Sequence, residues 1–193
     1  MTKKIIIPLA AAAVLVLWAV LSYNSIISAE ENVEGKWGNV QNVYQRRADL
    51  IPNLVETVKA YAEHEKSIFE EVANARARAM QMTINTDDLT AEKLQEFQNR
   101  QGELSAALGR LVVIYENYPD LKASQNFLEL QAQLEGTENR ISVERRNFNQ
   151  AAQAYNIKIR RFPASVLAGM FGFTKKPYFE AEAGSETAPR VQY

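Results

Sequence analysis

Phe127, Leu134, Ile141, Phe148, Tyr155 and Phe162 stand seven residues apart without a gap. Only an α-helix, at two turns per seven residues, brings such a series onto one face. From about Leu121 to Phe162 the chain is therefore expected to form one helix, roughly 60 Å long at about 1.5 Å per residue. A helix of that length with one apolar seam needs packing partners along all of it. The adjacent seam reads Gln131, Glu138, Arg145, Ala152, Ile159. The repeat thus points two charged side chains, Glu138 and Arg145, at neighbouring helices. They are read as a buried polar pair that sets helix register, with recognition of a peptide or partner helix as the competing role.

The partners are legible upstream. Trp37, Val40, Tyr44, Ile51, Val55, Val58, Ala62, Phe69 and Val72 follow three- and four-residue steps, so a first helix is expected from Glu31 to about Gln81. Pro52 lies inside it and should bend it near Ala48 by removing a main-chain hydrogen bond. MTINTDDLT breaks the pattern, and Thr90 can cap a second helix running from Ala91 to about Asn117. That helix turns Leu94, Phe97, Leu104, Leu108, Leu111, Val112 and Tyr115 inward, and NYPD ends it. Gly102, Gly109 and Gly136 lie singly within helices, where they are read as points of close helix approach. Pro163 ends the third long helix, and the apolar ASVLAGMFGF follows as a short helical segment.

The fold expected is all-α: three long antiparallel helices and a short C-terminal one, behind an N-terminal membrane helix. Ile5 to Ile27 carries no charge and would extend roughly 34 Å as a helix, enough for a hydrocarbon core of about 30 Å. Trp18 and Tyr23 suit its interface, and Lys3 and Lys4 before it oppose Glu30, Glu31 and Glu34 after it. This places residues 1–4 as a cytoplasmic stub, 5–27 as the anchor, 30–176 as an extracytoplasmic bundle and 177–193 as a disordered tail. A cleaved signal peptide shares the basic start. Its apolar centre is normally shorter, and Ile27 occupies a position where cleavage favours a small residue. With three helices in the bundle, the Phe162–Phe173 stretch is expected at the membrane-distal end or folded back along the bundle.

Composition then narrows the chemistry. The chain has no cysteine, which excludes disulfides, thiolate metal sites and a thiol nucleophile. Two of its 22 basic residues precede the anchor and none of its 23 acidic ones do, leaving residues 30–193 with a net formal charge of −3. No basic footprint for nucleic acid exists. A di-iron carboxylate bundle needs Glu-x-x-His pairs, whereas the single histidine, His64, has Tyr61 three residues before it. The glycines form no phosphate-cradling loop, and His64 is read as an exposed helix residue.

Long stretches in register, NVYQRRADLIPNLVETVKAYAEHEKSIFEEVANARA, then YPDLKASQNFLELQAQLEGTENRISVERRNFNQAAQAYNIKIRRFP and FPASVLAGMFGF, resemble the bacterial LemA family over roughly residues 1–180. The resemblance implies a membrane anchor followed by an antiparallel helical bundle. It carries no reaction, cofactor or catalytic residue to this chain. The function expected is a non-enzymatic, membrane-anchored scaffold or interaction protein of the bacterial inner membrane, with no catalytic residue, metal, cofactor or small molecule. Its partners would be envelope or membrane proteins or copies of itself. Glu138, Arg145, Met170, Phe171 and Phe173 are its candidate contact or register residues. The alternative is a ligand-responsive signal-input domain that acts through a second membrane protein.

Overall fold

The computed structural model describes the backbone of residues 3–180 and the side chains of residues 6–180 apart from residue 87. In chain order it contains α1 (Lys3–Lys59), α2 (Lys66–Met80), a 3-10 turn (Thr86–Asp88), α3 (Ala91–Tyr115), α4 (Pro119–Lys122), α5 (Gln125–Arg160) and α6 (Ala164–Phe171). No strand occurs among the described residues. α1 carries both the apolar N-terminal segment and the first wall of the bundle, with no break between residues 27 and 30. α5 lies antiparallel along it: Lys158 Nζ donates to the Ser25 carbonyl at 2.9 Å near one end, and Arg47 meets Glu138 at 2.9 Å near the other.

The first helix does not run to Gln81. It stops at Lys59, the chain turns through residues 60–65, and α2 doubles back. No Gly or Pro marks this turn, and the apolar stripe passes through it in phase from Ala62 to Phe69. The reversal lets Phe69, Val72, Ala75 and Ala79 bury against α3 instead of extending into water. Four helices in the bundle instead of three change its parity. α5 descends toward the membrane end of α1, so the Phe162–Phe173 stretch lies beside the anchor and not at the distal end. Tyr23 of α1 touches Phe171 and Phe173, with ring centroids 4.8 and 5.8 Å away.

Pro52 sits inside α1, and its consequence is met by α2. Proline has no N–H to give the carbonyl four residues back, and the Ala48 carbonyl accepts instead from Arg76 Nε of α2 at 2.7 Å. α3 begins as read, with the Thr90 hydroxyl accepting from the Lys93 N–H at 3.2 Å. Backbone N–H and the Thr90 hydroxyl hold the Glu92 carboxyl in that first turn below its ordinary value. Of the heptad series, Phe127, Ile141, Phe148 and Tyr155 are buried and Leu134 is half-buried. Phe162 is exposed, because α5 ends at Arg160 before it.

The core divides in two. Toward the membrane, Ile26, Val33, Trp37, Val40 and Tyr44 pack with Phe97, Phe148 and Tyr155. Trp37 is the hub there, in ring contact with Phe97, Phe148 and Phe179, and its indole N–H donates to the Ile84 carbonyl at 2.8 Å. Away from the membrane, Ile51, Leu54 and Val58 pack with Val72, Leu104, Leu111, Leu121 and Phe127. The tail reading needs revision at its start: residues 177–180 lie on the bundle with Phe179 buried. Residues 181–193 fall outside the described residues. The glycines also differ from expectation. A Cβ at Gly102, Gly109 or Gly136 would meet nothing within 4 Å, so no helix approaches closely there.

Two outcomes follow from these placements. Arg76→Ala should destabilise the full chain by about 1–2 kcal/mol in urea unfolding, by leaving the Ala48 carbonyl unsatisfied. In a Pro52→Ala background, residue 52 regains an N–H and the same change should matter much less; equal losses in both backgrounds refute the link. Gly136→Ala, on an open helix face, should stabilise by about 0.5–1 kcal/mol, read as a raised Tm, and a lowered Tm would restore the close-approach reading.

Candidate functional site

Between the two core halves lies Arg47, only 2% exposed. It occupies the inner stripe of α1, three residues after Tyr44 and four before Ile51, and its guanidinium lies 5.1 Å from the centroid of the Tyr44 ring. A buried guanidinium must find acceptors for its N–H groups. Nη1 donates to Ser105 Oγ at 3.0 Å and to Glu138 Oε1 at 2.9 Å. Nη2 donates to the Gln101 carbonyl at 3.3 Å and also to Gln101 Oε1. Gln101 in turn reaches back to the Ala79 carbonyl at 3.5 Å. One side chain thus ties α1 to α3 and α5, and Nε is left without an acceptor.

Glu138 therefore does form an ion pair in a polar layer, but with Arg47 and not with Arg145. The reason is geometric. Residues seven apart on one helix lie about 10.5 Å apart along its axis, whereas Arg47 approaches Glu138 from across the bundle. Glu138 is 44% exposed and stands at the mouth of the layer. Arg145 lies further along the same rim. Its Nη2 donates to the Glu180 carbonyl at 2.9 Å, and its guanidinium rests 4.9 Å from the Phe179 ring centroid. Together these residues, with Gln98, Ser142 and Tyr44, line a cleft of about 670 Å³. Amide, hydroxyl and charged groups dominate its mouth, which suits hydrogen bonding to a polar chain.

Beside the cleft, which it reaches at Glu180, an extended segment of the chain lies along α5. Asn156 Oδ1 accepts the Lys176 N–H at 3.0 Å while its Nδ2 donates to the Lys176 carbonyl at 2.8 Å. Asn149 repeats this with Phe179, at 2.8 and 2.9 Å. The spacing is dictated by two rises: seven helical residues cover about 10.5 Å, and three extended residues cover about 10 Å. Two asparagines seven apart therefore match backbone groups three apart on a straight strap. Lys176, buried, also pairs with Glu30 at 2.9 Å beside the Tyr155 ring. Burial pushes the Tyr155 phenol up to about 12, and the nearby Glu30 carboxylate adds to the shift.

The remaining sequence candidates sit apart from this cleft, at the membrane end. Phe171 and Phe173 lean on Tyr23, with Phe173 half-buried, while Met170 faces out. His64 is exposed in the turn after α1. Among the described residues no three His, Asp or Glu side chains gather as a metal site would require. Sequence reading passed over Arg47, although a charged residue at three- and four-residue steps inside an apolar stripe was visible. It also passed over Asn149 and Asn156, each one residue beyond a heptad aromatic.

An apolar helix long enough to cross a membrane, continuous with an antiparallel helical bundle, defines a membrane-associated all-α protein. The chain belongs to the LemA family, whose profile matches residues 36–193. The match takes in the C-terminal tail that the resemblance had left aside. Magnetosome protein MamQ 2 of Paramagnetospirillum magneticum is 27% identical over 86% of this chain and 68% of its own length. Magnetosome protein MamQ of Magnetospirillum gryphiswaldense shows the same identity and coverage. Protein LemA of Metamycoplasma hominis is 22% identical over 82% of this chain and 68% of its own.

Glu138→Leu should destabilise by about 2 kcal/mol, because it leaves the buried Arg47 charge with neutral partners only. Adding Arg47→Met should recover much of that loss. Arg145→Leu, at the rim, should lose less than about 1 kcal/mol. Urea titrations of the four chains decide it: equal losses for Glu138→Leu and Arg145→Leu would remove the register role of the layer.

Proposed function

We propose that this chain is a non-enzymatic scaffold of the bacterial envelope. Residues 5–27 anchor it in the cytoplasmic membrane, residues 1–4 stay in the cytoplasm, and the bundle stands outside, where it gathers other envelope proteins or further copies of itself. The observation that carries this reading is the continuity of α1, one helix from the apolar segment to the tip of the bundle. A continuous helix fixes the height and direction of whatever docks on it. The retained anchor is favoured by what a cut after Ala29 would remove: Ile26, fully buried in the core, and the Ser25 groups that hold Lys158. The two basic residues before the span and the acidic ones after it favour this orientation.

The relatives' names speak of a structure, the magnetosome, and of no reaction, which agrees with a role in assembly. Signal input through a second protein draws no support from the family or these relatives. The polar cleft around Glu138 and Arg145 is the surface a partner would read, by hydrogen bonds to an exposed polar segment. In-cell photo-cross-linking from position 145 tests this. A discrete, stoichiometric envelope protein or a second copy at that position is expected. A chain that shows no neighbour there, while purified protein carries a bound metabolite, would overturn the scaffold reading in favour of an enzyme or ligand sensor.

A further inference from the structure

The membrane end of the bundle carries a cluster of exposed apolar side chains that the fold leaves uncovered. Phe162 is 84% exposed, Met170 74%, Phe171 58% and Val166 55%. Val166 and Met170, four residues apart, share one face of α6, while Leu167 and Ala168 on its other face are buried. Elsewhere on the bundle the exposed aliphatics Val113, Leu128 and Val143 stand scattered along the helices, as single apolar surface residues ordinarily do. Four on one short stretch call for an occupant.

The height of this cluster identifies the occupant. Phe162 and Pro163 line a small recess with Trp18 and Ser22 of α1, and Phe171 packs on Tyr23. α6 therefore lies level with residues 18–23 of the anchor. A hydrocarbon core of about 30 Å takes about 20 helical residues. Counted from Ile5, that length ends near Asn24, above the level of α6. Residues 6–17 of α1 are exposed along their whole run, whereas Ile26 is wholly enclosed by the bundle. The last turns of the span, residues 18–23, thus run beside α6 within the depth of the apolar core, half-covered at Trp18, Ser22 and Tyr23.

We propose that α6 and Phe162 are seated in the outer interfacial layer of the same bilayer that α1 crosses, with Phe162, Val166 and Met170 among the acyl chains. The charges agree with this depth. Lys158 is bonded to Ser25 at 2.9 Å through both the carbonyl and Oγ, and Arg160 and Arg161 follow at the exposed end of α5. Lys158, level with Ser25, stands where lipid phosphates would lie, and the long side chains of Arg160 and Arg161 extend toward the same level, as basic residues at membrane edges do. α6 itself, ASVLAGMF, has no charge to keep it in water. The bundle then meets the membrane at two places, which fixes its tilt as well as its position.

This inference rests on the reading of α1 as a membrane span, and the test separates the two. The chain lacks cysteine, so single probes can be placed on the full-length protein. Leu15→Cys, Val113→Cys, Val166→Cys and Met170→Cys carry an environment-sensitive bimane in vesicles of equal parts phosphatidylcholine and phosphatidylglycerol. Quenching is read with spin-labelled lipid and with aqueous iodide. Lipid quenching at positions 15, 166 and 170, several-fold above that at 113, is the expected result. Lipid quenching at 15 alone, with iodide reaching 166 and 170, overturns the seating and leaves the anchor intact. Protection of 166 and 170 from both quenchers means another protein surface covers α6, which also overturns it. Absence of lipid quenching at 15 removes both readings.

Discussion

A guanidinium in the middle of an apolar bundle admits few arrangements, and Arg47 sets the one this protein adopts. Its charge is shielded only if Glu138 reaches it from α5, and its two Nη groups are occupied only if Gln101 and Ser105 of α3 stand at the same height. Apolar side chains slide past one another at small expense. A one-turn slip of α3 or α5 along α1 would move these acceptors by about 5.4 Å and strand the charge. The layer therefore specifies register between two core halves whose aliphatic packing alone would tolerate alternatives. Stability as such comes from those halves, in particular from Trp37 and the rings around it.

Below that layer the packing continues down to the apolar segment of α1. α1 is shared between the anchor and the bundle, α5 returns beside it, and the strap of residues 176–180 closes the remaining face. Beside the aromatic contacts, the polar ties at this end are specific: Lys158 to Ser25, Lys176 to Glu30, Asn149 and Asn156 to the strap backbone. An extended segment has backbone groups that must be satisfied wherever it is buried. Two asparagines on α5 do for it what a neighbouring strand would do in a sheet.

Much of this was legible in the sequence. The heptad from Phe127 to Tyr155, the stripe from Trp37 to Val58, the Thr90 cap and the apolar N-terminus all rest on local periodicity and composition. The reversal at residues 60–65 was not legible, because no breaker residue marks it and the stripe runs through it in phase. Its cause is tertiary: α2 gains a partner in α3, and Arg76 satisfies the carbonyl that Pro52 frees. The Glu138 partner was missed for a similar reason. A repeat shows which face a charge occupies and says nothing about what stands across from it. At Phe162 the repeat outlasts the helix, so its last member joins the exposed membrane-end cluster.

Parity then decides what the rest of the chain can reach. Three helices would have carried α6 to the far end, some 50 Å from the bilayer at about 1.5 Å per residue over the length of α5. Four return it to the apolar end of α1 and leave, among the described residues, the turn at residues 60–65 and α4 at the tip. The cleft at Arg47 lies 22 residues along α1 from Ser25, about 33 Å at the same rise. A lipid headgroup cannot approach it, and neither can a partner confined to the bilayer. On the scaffold reading proposed above, a protein partner at the cleft must itself extend well beyond the membrane surface, whereas the seating proposed for α6 brings lipid to the base alone.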